Sequence, residues 1–182
     1  PFHHGGVTFK SPLLVENTEV CGPIVLNLYG SSTDTEVLWF VSLLHFDREG
    51  KETLLTRGWL RGSQRRLDAK QSRPFQPVHA HTAREPLSPN EIYEFNIEVR
   101  PYGILVKAGE RIGIRIKSSD ADDAPEDYLQ LIGTGHIHRR SASHVSVHHN
   151  AECPSHLLLP ITRGNRIGTF ISGGELPKLV AP

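Results

Sequence analysis

The sequence predicts an all-β protein folded as a two-sheet sandwich, jelly-roll or Greek-key, and three observations carry that expectation. Apolar residues recur at every second position, the mark of strands with one buried face. The alternating runs are short and separated by turns bearing Gly, Pro, Asp and Asn, and helical spacing is hard to find in the chain. Many short strands with almost no helix favour a sandwich over an α/β fold.

The first clear strand covers Ile24–Tyr29, where Ile24, Leu26 and Leu28 share a face. The apolar run Val37–Phe46 places Trp39 in the core and ends at the turn Asp47-Arg48-Glu49-Gly50. Read as a strand, Leu55–Arg65 puts Leu55, Arg57, Trp59, Arg61, Ser63 and Arg65 on one side, and Thr56, Gly58, Leu60, Gly62 and Gln64 on the other. The cleanest alternation is Tyr93, Phe95, Ile97 and Val99 against Glu94, Asn96 and Glu98. After the turn Lys107-Ala108-Gly109-Glu110, Ile112, Ile114 and Ile116 mark the inside of a strand over Arg111–Lys117, and Val145 and Val147 repeat the pattern.

Two stretches break the rhythm. Residues Arg73–Asn90 hold Pro74, Pro77, Pro86 and Pro89, which lack a backbone donor and fix φ, so this segment is expected to wrap the sandwich as a long connection. Residues Ser118–Asp127 carry Asp120, Asp122, Asp123, Glu126 and Asp127, which read as a solvated acidic loop rather than a calcium site.

A chain of 182 residues has the usual size of one domain, so residues 1–182 are read as a single unit. Lys plus Arg number 20 and Asp plus Glu 20, a formal charge of zero, which argues against nucleic acid or an anionic membrane as partner. No apolar run approaches the roughly 18 residues of a membrane span, and Pro1–Gly6 lacks the grammar of a signal peptide; a cytoplasmic location is favoured over a secreted one. The sequence has no Met, which suggests a piece of a longer protein. Cys21 and Cys153 are too few for a disulfide scaffold or a zinc site and are expected to be unbridged.

No catalytic residue is assigned. The nucleophile elbow G-x-S-x-G is missing; Gly30-Ser31-Ser32 and Gly62-Ser63-Gln64 lack its second Gly. Among 11 histidines, His79-Ala80-His81, His136-Ile137-His138 and His148-His149 invite a metal reading, and His79, His81 and Glu85 have the spacing of half a cupin site. That segment is Pro-rich where a cupin needs strands, so neither metal nor cofactor is expected. Gly133-Thr134-Gly135 is too short for a phosphate loop. The candidate site is a surface: Trp59 between Arg57 and Arg61 is not a core pattern, and Trp and Arg are enriched where proteins meet. The alternative for such a face is an indole stacked with guanidinium groups in solvent.

The segments Thr8–Leu13, Thr18–Pro23, Ser31–Glu36, Leu54–Arg61, Val106–Ile112 and Pro154–Pro160, in this order and spacing, resemble the C-terminal domain of serine hydrolases of the X-Pro dipeptidyl-peptidase and cocaine-esterase-like acyl esterase family. The likeness covers Val7 to Ile161, leaving 162–182 as a tail, and departs from the family over Ala121–Gly135. It implies a galactose-binding-like jelly roll joined to an α/β-hydrolase catalytic domain, with the Ser, Asp and His of the triad lying upstream of the segment matching Thr8. None of the three maps onto this chain. The leading reading is a non-catalytic module that packs on the catalytic domain and helps wall the substrate cleft, with homo-oligomer contacts as a further expectation; the Arg57, Trp59 and Arg61 face, singled out by its pattern, is expected to make the contact. A carbohydrate-binding jelly roll is the competing reading, and a metal-dependent jelly-roll enzyme a third.

Overall fold

The computed structural model describes residues 6–118 and 143–162. Among them are nine strands: β1 (Val7–Lys10), β2 (Thr18–Ser32), β3 (Leu38–Phe46), β4 (Glu52–Arg61), β5 (Tyr93–Val106), β6 (Arg111–Lys117), β7 (Val145–His148), β8 (His156–Leu158) and β9 (Ile161–Thr162). All pair antiparallel in the order β1-β6-β3-β4-β5-β2-β7, with β8 and β9 also on β2. The ladder curls so that β1-β6-β3-β4 face β5-β2-β7, giving the predicted all-β sandwich.

The alternation read from the sequence fills its interior. Ile24, Leu26 and Leu28 of β2, Trp39, Val41 and Leu43 of β3, Phe95, Ile97 and Val99 of β5, and Ile112, Ile114 and Ile116 of β6 form one buried cluster. Burial of each such side chain is worth about 1.5–3 kcal/mol. Trp39, 1% exposed, lies 5.4 Å from Phe95 between ring centroids. A Cβ on Gly30 would stand 2.5 Å from the Trp39 ring, so only glycine admits the indole there.

Three strands differ from the expectation. β2 and β5 are about twice as long as read, because Pro23 and Pro101 fall at the same level: the register runs from Gly22↔Tyr102 to Ile24↔Val99, passing over Pro23 on β2 and Arg100-Pro101 on β5 in a bulge that takes up both residues unable to donate to the ladder. β4 is displaced toward the N-terminus, running from Glu52 and ending at Arg61, and Gly62–Gln64 form a 3₁₀ turn. Within β4, Thr56 faces Leu43 and Leu54 faces Leu44, so Leu55 is a bulge residue that packs on the core instead of standing beside Arg57. In β3, Phe40, Leu44 and Phe46 are buried on the outer side as well. Basic side chains roof them: Lys10 Nζ lies 3.9 Å from the Phe46 centroid, Lys117 pairs across from Phe40, and Arg115 is held by both carboxylate oxygens of Glu52 at 2.7 and 2.6 Å.

The Pro-rich connection lies along the strand ends as expected, donating from Glu85, Leu87 and Asn90 to the carbonyls of Ser63, Thr35 and Ser32. Glu36 anchors the same corner, accepting from Ser63 N at 2.9 Å, Ser63 Oγ at 2.6 Å and Arg84 Nη2 at 3.2 Å. The turn from β5 to β6 crosses between the two halves of the sandwich and is clamped by Glu110, whose Oε2 accepts the Lys107 N–H at 2.9 Å and lies 2.8 Å from His45 Nε2. The Lys107 N–H, followed by His45, holds this carboxyl below its ordinary value.

The halves meet along two seams. On one, β4 and β5 share the single register pair Gly58↔Val99, and a Cβ on Gly58 would come within 2.1 Å of the Glu98 carbonyl oxygen. On the other, β1 and β7 are the two ends of the ladder, with the Phe9 ring edge-on to His149 at 5.6 Å between centroids. A cavity of about 390 Å³ lies there, bounded by Phe9, Leu26, Ile114, Val147, Leu157 and Leu159. Cys21 and Cys153 are half-buried free thiols. The acidic stretch beyond Ser118, the loop Ala121–Gly135 with His136 and His138, and the tail after Thr162 lie outside the described residues.

Candidate docking face

The outer surface of β4 presents the three expected residues together. Gly58 and Leu60 turn inward and are buried, so Arg57, Trp59 and Arg61 project outward, across from Ser42, Phe40 and Leu38 of β3. Trp59 is 44% exposed, whereas Trp39 on the neighbouring strand is sealed in the core. The two indoles therefore play opposite parts, as the sequence predicts.

The face is larger than the sequence suggests. Gly58↔Val99 brings β5 alongside, so Glu98 and Arg100 join Arg57 and Trp59 on the same surface. The Arg100 guanidinium lies over the Trp59 ring, 5.0 Å from its centroid, a cation–π contact that fixes both groups. Together with Gln64, His79 and His81 these residues line an open groove of about 500 Å³. Extending the Glu94, Asn96, Glu98 alternation one step past Val99 would have placed Arg100 outward; nothing in the sequence places the histidines beside it.

His79 is half-buried and its Nε2 has no hydrogen-bond partner, while His81 Nδ1 lies 3.2 Å from Gln64 Oε1. Burial first, and the neighbouring His81 second, lower the basicity of His79, so its imidazole is neutral near pH 7. The rings lie 6.0 Å apart between centroids, and His79 sits on an isolated bridge to Leu67 rather than on a strand. Glu85, the third member of the cupin-like spacing, points elsewhere, to Arg66 at 3.1 Å. Among the described residues no three His, Cys, Asp or Glu side chains converge as a metal site would require.

His148 and His149 are likewise separated in role: His148 Nε2 lies 3.0 Å from Ser31 Oγ, clipping β7 to β2, while His149 faces Phe9. The exposed aromatics Trp59, Phe75 and Tyr102 stand on three different segments, and Trp59 already has one guanidinium over its ring, an arrangement poorly suited to stacking a sugar. No helix among the described residues is long and apolar enough to cross a membrane.

Comparison with known proteins gives a consistent answer. Residues 3–158 match the family model described as the X-Pro dipeptidyl-peptidase C-terminal non-catalytic domain. A Mycobacterium bovis protein provisionally named a serine esterase is 32% identical over 120 residues, covering 63% of this chain and 19% of that protein. A crystal structure of a CocE/NonD family hydrolase from Staphylococcus aureus superposes with a TM-score of 0.75 at 27% identity, covering 87% of this chain and 30% of that one. An α-amino acid ester hydrolase shares the fold at 19% identity, TM-score 0.64, over 86% of this chain and 25% of its own. The chain thus spans less than a third of the length of each of these relatives.

Proposed function

Because the chain belongs to the family of X-Pro dipeptidyl-peptidase C-terminal non-catalytic domains, we propose that it serves a larger serine hydrolase as a rigid accessory wall. It docks on an α/β-hydrolase catalytic domain through the outer face of β4 and helps enclose the substrate cleft. The parent reaction in this reading is acyl transfer from an ester or an X-Pro peptide through a seryl intermediate, with the triad in the catalytic domain. The β-sandwich supplies shape and the exclusion of water, not reacting groups.

The observation that carries this reading is Trp59, a large aromatic left 44% exposed between two arginines on a strand whose intervening residues are buried. Burying an indole and desolvating its guanidinium neighbours is the usual makeup of an interface hot spot, worth about 2 kcal/mol or more. The test is hydrolysis of a p-nitrophenyl ester and an X-Pro anilide by this chain, by the catalytic domain, and by the two mixed. The chain alone should be silent and should raise or reshape its partner's activity, and Trp59→Ala should remove that effect without unfolding the domain. Turnover by the isolated chain, or unchanged partnership in Trp59→Ala, overturns the proposal.

A further inference from the structure

We infer that the groove beside Trp59 receives a carboxylate side chain, an Asp or Glu presented by the catalytic domain, seated between Arg61 and Arg100 above His79. The inference rests on the docking reading above and adds the chemistry of the contact.

The chain as a whole has a formal charge of zero, yet this groove carries Arg57, Arg61 and Arg100 against Glu98 alone. The excess is thus local and not a reflection of overall composition. Among the described residues Arg61 and Arg100 make no ion pair, in contrast to Arg66, Arg84 and Arg115, which are matched to Glu85, Glu36 and Glu52. Arg100 is held over the Trp59 ring before any partner arrives. A guanidinium fixed by stacking keeps its planar fork free for two parallel bonds to a carboxylate and loses little freedom on making them.

The groove also holds a polar atom that awaits a partner. His79 Nε2 is buried against its wall with no hydrogen bond, and the ring is kept neutral by burial and by His81. The charged groups around it are Arg57 and Arg61 from β4, Glu98 and Arg100 from β5, and His81 from its own segment. Glu98 is the single anion among them, so a second carboxylate entering the groove shifts the balance toward protonated His79. Docking would then take up a proton and be favoured as pH falls.

Two measurements test this. With the chain alone, a short poly-glutamate peptide should quench the exposed Trp59 emission, with Trp39 as an invariant background; poly-glutamine should not. The double variant Arg61→Gln/Arg100→Gln, checked for an unchanged melt, should weaken the peptide by about tenfold or more, and so should raising the salt. No quenching by poly-glutamate, or quenching that the double variant leaves unchanged, overturns the inference. In the full-length parent, calorimetry reads whether the two domains melt together. If Trp59→Ala separates the transitions but the arginine pair and salt do not, docking at this face stands and the carboxylate inference fails. If neither variant separates them, both readings fail.

Discussion

The two seams of the sandwich solve the same problem in opposite ways. Where β4 meets β5, backbone touches backbone, and the strands approach so closely that Gly58 leaves no room for a methyl group. Where the ends of the ladder face each other, β1 and β7 stay unpaired to one another, and side chains such as Phe9, Val147 and Leu157 span the gap around a cavity of about 390 Å³. A seam made of main chain is rigid and sets the outer groove, because the register pair that excludes a Cβ is also the one that brings Arg100 over Trp59. A seam made of side chains can adapt. The proposed docking face lies on the rigid one.

Substitutions should separate the seams clearly. Gly58→Ala is expected to cost about 3 kcal/mol or more, since the Glu98 carbonyl must move before the fold can re-form. Denaturant unfolding measures it, and a loss below about 1 kcal/mol would mean that the seam yields. Glu110→Gln probes the turn joining the halves away from either seam and should cost about 1–2 kcal/mol through the weakened contacts to Lys107 and His45. Because the Glu110 carboxyl titrates below its ordinary value, its contribution is complete above the unfolded carboxylate range and is lost as pH falls through the lowered folded value. The wild-type chain should therefore lose its advantage over Glu110→Gln as melts are carried down in pH from the unfolded carboxylate range through the lowered folded value. Val147→Ile adds one methyl group beside the cavity and should be neutral or stabilising by about 0.5 kcal/mol. A loss as large as that at Gly58 would make the two seams alike.

The parts of this fold that could be read in advance are those decided by side chains alone. Ile24, Leu26 and Leu28, or Phe95, Ile97 and Val99, alternate because one face is buried, whichever strand lies beside them. The short strands β1, β8 and β9 have too little alternation of their own and exist through their partners β6 and β2, so no local signal announces them. The bulge at Leu55 follows from the register with β3 and escapes any count of odd and even positions. For the proposed docking face, Arg57, Trp59 and Arg61 stood out as a pattern foreign to a core. Arg100, His79 and His81 complete it only through pairing between segments distant in sequence.

Strand β2 gathers β5, β7, β8 and β9 onto itself, so its hydrogen bonds are completed by residues from Tyr93 onward to Thr162. The β3–β4 hairpin, by contrast, closes over the four-residue turn Asp47-Arg48-Glu49-Gly50. A chain emerging from the ribosome can form that hairpin early, but β2 must wait, unpaired and apolar, until most of its own sequence has been synthesised. Folding that depends on pairing over such spans is slow, in the millisecond-to-second range for sandwiches of this kind, so the interval between synthesis and folding is when this domain is most exposed to aggregation.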